Sequence, residues 1–284
     1  MFKVDPISEI VSELAEGPLW DPDTSSIFWS DIPNRLIHCA KISDGQSKSM
    51  KMPLMIGAIG LTKSDSLIAA TSNGFAMISP SGKLSIIDEF LEPDVRMNDG
   101  KVDPHGRFWA GSLALDFGRE RGSLYVLEKN GLRKAAIEKL TLSNGMGWSP
   151  DGTQFFFIDS IPGTLTRFDY DVTTGSLSNK RIIVKFDAGS GIPDGMCVTD
   201  EGLILVALWD GKRLELYEPE GRKLQEFAVP VRRPTSCCFA GEDYSTIIVT
   251  TASQDIDRNF EPLAGRILAL TDTGLSGLPS YRYG

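Results

Sequence analysis

One short pattern recurs six times along the chain, and its period constrains the fold more than any other feature. EGPLWDPDTSSIFWSD begins at Glu16 and NGMGWSPDGTQFFFIDS begins at Asn144. Both run from a polar residue and a glycine to a tryptophan, then an Asp-Pro or Pro-Asp turn, then an apolar stretch ending in Asp. Weaker copies start at Gly57 (GAIGLTKSDSLIAATS), Asn98 (NDGKVDPHGRFWAGS), Asp194 (DGMCVTDEGLILVAL) and Thr235 (TSCCFAGEDYSTIIVTT). Aligned on the apolar residue before the turn, the six starts lie 41, 41, 46, 50 and 41 residues apart. A period of about 40–50 residues, each copy supplying about four strands, is the signature of a β-propeller. The expectation is an all-β, six-bladed propeller with four-stranded blades, spanning residues 1–284 as one domain.

The rest of the chain agrees with an all-β reading. Short apolar or β-branched runs at Ile27–Trp29, Ser66–Ala70, Arg107–Ala110, Phe155–Ile158, Leu203–Ala207 and Ile247–Thr250 are bounded by turn residues. The one candidate for a helical turn is near Pro6–Leu14. Trp20, Trp29, Trp109 and Trp148 fall at reused positions and are expected inside the blades. Trp209 fits either blade packing or the channel mouth.

Composition narrows the function. With 38 acidic and 29 basic residues the net charge is −9, which disfavours nucleic acid and anionic membrane surfaces as partners. No run approaches the roughly 18 apolar residues of a membrane span. The acidic N-terminal stretch does not read as a signal peptide, so a cytoplasmic protein is expected. Cys39, Cys197, Cys237 and Cys238 lack CxxC spacing, and Cys237–Cys238 read as packing residues. Only His38 and His105 are available as imidazoles. A metal site here must rely on oxygen ligands.

In a propeller the first strand of each blade lies nearest the axis, so equivalent positions at its start face one mouth of the channel. Those positions carry Glu16, Gly57, Asn98, Asn144, Asp194 and Thr235. Asn, Asp and Gly before a strand are ordinary turn residues, and Asp99 in the Asn-Asp-Gly run is read that way. Glu is a poor turn residue, and convergence on an axis demands more. Two carboxylates about 5 Å apart repel by roughly 3 kcal/mol at an effective dielectric near 20. A shared proton or a cation must offset that. Glu16, Asn144 and Asp194 offer two anionic oxygens and one amide oxygen, which suits Ca²⁺, Mg²⁺ or Mn²⁺, or Zn²⁺ bound through oxygen. Three protein ligands leave positions open for water and substrate.

The segments AEGPLWD (15–21), RMNDGKVDPHGRFWAGS (96–112), SNGMGWSPD (143–151), IPDGMC (192–197) and TSCCFAG (235–241) resemble the senescence-marker-protein/gluconolactonase/luciferin-regenerating-enzyme family. The resemblance runs from Glu16 to Gly284. It implies a six-bladed propeller and one divalent metal ion held by Glu16, Asn144 and Asp194. It implies that Arg96 and Asn98 contact a sugar-like substrate. Asp116 falls where family members place an acidic residue on substrate hydroxyls, although the loop SLALDFGRERG departs from the family pattern. The implied reaction is hydrolysis of an aldono-1,4- or 1,5-lactone, with Asp194 as general base as well as ligand. A phosphotriesterase on the same scaffold and a non-catalytic calcium-binding propeller are the alternatives.

Overall fold

Every regular element is a strand in the computed structural model, which describes residues 2–284. The strands form six antiparallel sheets of four, and five of these blades are continuous in sequence. The six innermost strands are Ala15–Asp21, Ile56–Leu61, Val95–Val102, Ser143–Trp148, Ile192–Val198 and Pro234–Ala240. Each contains one of the six aligned positions, so the repeat read from the sequence is the blade repeat. The apolar runs map onto the second strands, from Ser26–Asp31 in blade one to Thr246–Thr251 in blade six. The expected helical turn near Pro6–Leu14 does not form. Its backbone hydrogen-bonds instead to blade six, from the Ile7 amide to the Ile267 carbonyl and from the Ser12 amide to the Gly265 carbonyl.

The core lies between the blades rather than at the axis. Trp109 and Trp148 meet edge to face at 5.7 Å, and Phe155 packs against both where blades three and four join. All four tryptophans expected inside the blades are buried. Burial falls outward, as the outermost strand of blade five, Lys223–Ala228, shows: it is exposed except for Phe227 and carries Lys223 and Glu226. Charged side chains on a free sheet edge discourage pairing with other chains.

Ring closure was not legible in the repeat. Blade six takes its outermost strand from the N-terminus: Lys3–Pro6 pairs with Leu268–Thr271, in the register Lys3 to Thr271 and Pro6 to Leu268. The first and last segments of the chain thus share one sheet. The C-terminal segment crosses the end of the channel where the inner strands finish. Tyr283 exchanges backbone hydrogen bonds with Leu61 and Lys63, and Gly284 donates to Gly106.

A buried polar cluster fastens blade three to blade four. Asp103 accepts from the backbone amides of His105 and Arg107 through one oxygen. Its other oxygen accepts from Arg107 Nε at 2.6 Å, Trp109 Nε1 at 2.8 Å and Tyr170 Oη at 2.7 Å. Arg107 is itself buried and reaches the Val172 carbonyl. Removing one partner of such a pair leaves an uncompensated charge, which costs about 3–5 kcal/mol. Asp103→Ala is therefore expected to lower the melting temperature by about 5–15 °C. A shift within 2 °C or so in thermal denaturation would show that this cluster does not hold the two blades.

Candidate active site

Each inner strand carries one extra residue relative to its neighbour, and the extra residue falls at or beside the aligned position. The register slips between Glu16 and Leu19, Met97 and Gly100, Ser143 and Met146, and Pro193 and Met196, with shorter slips at Gly57 and Thr235. A bulge bends the strand and re-aims a side chain. Here it turns side chains that would otherwise pack within a blade toward the axis. Asp99 belongs to this feature: it sits inside strand Val95–Val102, buried, not in a turn. Asn-Asp-Gly suits a bulge for the same backbone reasons that it suits a turn.

Four of the six aligned residues line one cavity. Glu16, Asn98, Asn144 and Asp194 form its floor together with Arg96, in a space of about 330 Å³ at the channel mouth. The other two do not take part. A Cβ on Gly57 would sit 2.5 Å from the Asn98 carbonyl oxygen, so blades two and three meet there backbone to backbone. Thr235 is fully buried and donates to the Ala15 carbonyl at 2.6 Å, joining blade six to blade one.

Hydrogen bonds fix the floor. Arg96 Nη1 donates to Asn98 Oδ1 at 2.9 Å and to the Met97 carbonyl at 2.9 Å. The Asn98 amide nitrogen donates to the Ser143 carbonyl at 2.9 Å and to Asn144 Oδ1 at 3.3 Å. The Asn144 nitrogen donates to Ser160 Oγ at 3.0 Å, which sets the amide orientation. Ser160 is thus a supporting residue that the aligned positions alone did not reveal.

The electrostatics are those of an acid cluster short of positive charge. Burial pushes Glu16 well above the usual carboxylate range, and the charges of Asp194 and Asp99 push it further. Burial does the same to Asp194, with Asp99 adding to it. Arg96 opposes both shifts, and is itself lowered to about 10 by burial, against the attraction of Glu16 and Asp194. Arg96 faces the two buried carboxyls of Glu16 and Asp194, and Lys101 offsets the buried Asp99 from the other side. Asp99 Oδ2 has no hydrogen-bond partner. Among the described residues, no three His, Cys, Asp or Glu side chains gather closely enough to hold a metal ion by themselves. A cation at the floor would bind through two carboxylates and the Asn144 amide oxygen. That donor set suits a hard divalent ion and leaves coordination positions open. The residues present therefore fit the group that the sequence implied.

A sequence model of the SMP-30/gluconolactonase/LRE-like region matches residues 14–253. The chain belongs to this family. Regucalcin from Gallus gallus is 34% identical over 293 residues, covering 99% of this chain and 98% of that protein. A calcium-binding protein, regucalcin, from Agrobacterium tumefaciens superposes with a TM-score of 0.95 at 25% identity, covering 100% and 98% of the two chains. A luciferin-regenerating enzyme superposes with a TM-score of 0.92 at 27% identity, covering 100% and 99%. The family match covers every floor residue, from Glu16 to Asp194.

Asp116 stands apart from the floor. Its carboxylate accepts from the Gly118 amide at 2.9 Å and lies 3.8 Å from Arg121, with its side chain 72% exposed. The next residue, Phe117, lines the cavity instead. The short loop turns there through a positive φ of 55° at Phe117, which sends Asp116 to solvent and the ring to the mouth. Trp209, undecided from sequence, also lines the mouth, half-buried. So do Ile161, Arg233, Gln254 and Asp255. Ile161, Trp209, Gln254 and Asp255 lie at or just after the end of a blade's second strand. Because that strand runs back toward the mouth, the residues after it are a second periodic signal, readable once the blades are known.

Proposed function

We propose that this chain is a divalent-metal-dependent lactonase that opens an aldono-1,4- or 1,5-lactone to the aldonic acid. The observation that carries this reading is the convergence of Glu16, Asn144 and Asp194 on the cavity floor, with Arg96 as the single cation acting on both carboxyls. The gluconolactonase name of the family supports the same reaction class. A divalent cation held by Glu16, Asn144 and Asp194 would supply Lewis acidity toward the lactone carbonyl.

The chain's own groups do the rest. Arg96, already fixed on Asn98 Oδ1 and the Met97 carbonyl, presents its remaining donors to substrate oxygens. Asn98, fixed beside Arg96, reads the ring hydroxyls. Asp194 accepts the proton of the attacking water at a carboxylate oxygen. The water oxygen joins the carbonyl carbon, the acyl–oxygen bond of the ring breaks, and the ring oxygen leaves as a hydroxyl after taking up a proton.

The reading includes a small-molecule lactone as partner, with neither nucleic acid nor membrane, and a single ring-closed domain in the cytoplasm. Four free, buried cysteines fit a reducing compartment. No helix among the described residues is long and apolar enough to cross a membrane. The test is a panel of aldonolactones against metal-stripped protein reloaded with Ca²⁺, Zn²⁺, Mg²⁺ or Mn²⁺, with a fluorophosphate as control. Lactone turnover restored by at least one metal is the expected result. Turnover of the fluorophosphate alone would assign a phosphotriesterase, and metal binding without any turnover would assign a calcium-binding propeller.

A further inference from the structure

The mouth of the cavity differs from its floor. Large apolar side chains there are left open to solvent: Phe117 is 54% exposed, Ile161 45% and Ile192 40%. They are contiguous in the ring, coming from blades three, four and five, and Trp209 of blade five extends the arc. Blade six completes the mouth with polar groups, Arg233, Gln254 and Asp255. Trp209 is held in place from that side. The Arg233 guanidinium lies 4.6 Å from its ring centre, and Arg233 Nε donates to Asp210 at 2.8 Å.

Apolar side chains clustered at a cavity mouth are a surface awaiting an apolar ligand group. A fully hydroxylated sugar lactone has none to offer. A lactone seated with its carbonyl and ring hydroxyls on Arg96, Asn98 and the carboxylates below would leave its exocyclic carbons to the mouth, where blades three, four and five present the apolar arc. A terminal hydroxyl against Phe117 and Ile161 loses water and gains no partner, whereas a methyl group there is buried at no polar cost. We propose that the substrate class is the deoxy-aldonolactones, in which the exocyclic terminus is a methyl group, as in a 6-deoxyhexono-1,4-lactone. This rests on the lactonase reading and adds the part of the substrate that the floor does not choose.

The experiment compares matched lactones that differ by one oxygen atom: 6-deoxy-L-galactono-1,4-lactone with L-galactono-1,4-lactone, and the same pair in the D series. Values of kcat/KM are measured on the metal-loaded protein. The expected result is a preference of about tenfold or more for the deoxy compound in at least one series, the scale on which an apolar pocket discriminates one small group. Phe117→Ser and Ile161→Thr, both at exposed positions, should each bring that ratio toward unity. Equal or better turnover of the hydroxylated lactone in both series overturns the proposal and leaves the lactonase reading standing. So does a deoxy preference that survives both substitutions, since the arc would not be its source. No turnover of any lactone with any metal removes both readings together.

Discussion

Asp194→Asn is expected to lower lactone kcat/KM by about 10³-fold or more while the protein stays folded. The amide keeps the shape of the side chain, so the floor is not emptied. What is lost is a proton acceptor, whose contribution as general base is about 10²–10⁴-fold, and an anionic donor to the cation. Stability should move the other way. In the metal-free protein Asp194 is a buried carboxyl pushed upward by burial and then by Asp99, and Glu16 is pushed upward by burial and then by Asp194 and Asp99. Removing one of the three relieves repulsion, so metal-free Asp194→Asn should melt no lower than the metal-free parent. Turnover within tenfold of the parent would sink the assignment of Asp194. A large drop in melting temperature would mean that lost activity reports misfolding.

Divalent metal is expected to raise the melting temperature by about 5–15 °C, and by more as pH rises above the ordinary carboxylate value of about 4. The size follows from ligand linkage: a ligand present at a thousand times its dissociation constant stabilises by about 4 kcal/mol, which in a chain of this length is a shift of several degrees. The pH dependence follows from the sign of the carboxyl shifts. A carboxyl raised in the folded state binds its proton more tightly there than in the unfolded chain. Its stabilising contribution is present below the ordinary value of about 4 and is lost as pH rises toward the raised value. Glu16, Asp99 and Asp194 are all raised, so the metal-free protein loses stability through that window. A cation that needs ionised ligands restores it most where they are already ionised. His38 acts in the opposite sense: burial lowers it, so its contribution grows as pH rises toward about 6.5. Comparing metal-loaded with metal-free protein at each pH cancels the His38 contribution. A metal-induced shift that is flat with pH, or absent, would separate these carboxyls from metal binding.

Much of this protein is set by short-range pattern. The recurring apolar–turn–apolar unit fixes strand, turn and blade because each depends on a few consecutive residues, and its period counts the blades. The same alignment selected Glu16, Asn98, Asn144 and Asp194, because equivalent places in a closed ring must face a common axis. Tertiary structure decided the rest, where contacts join residues far apart in the chain. Lys3–Pro6 finds Leu268–Thr271 only when the ring closes. Gly57 and Thr235 leave the floor because of what the neighbouring blade presses against them. The loop at Asp116 and Phe117 chooses its outward residue by backbone conformation and by the pull of Arg121, and no period governs that choice. The mouth is assembled from loops and strand ends of several blades, so its apolar arc exists only as a juxtaposition in space. The sequence thus determined the ring and the side chains brought to its axis, while packing between distant segments determined the shape of the entrance.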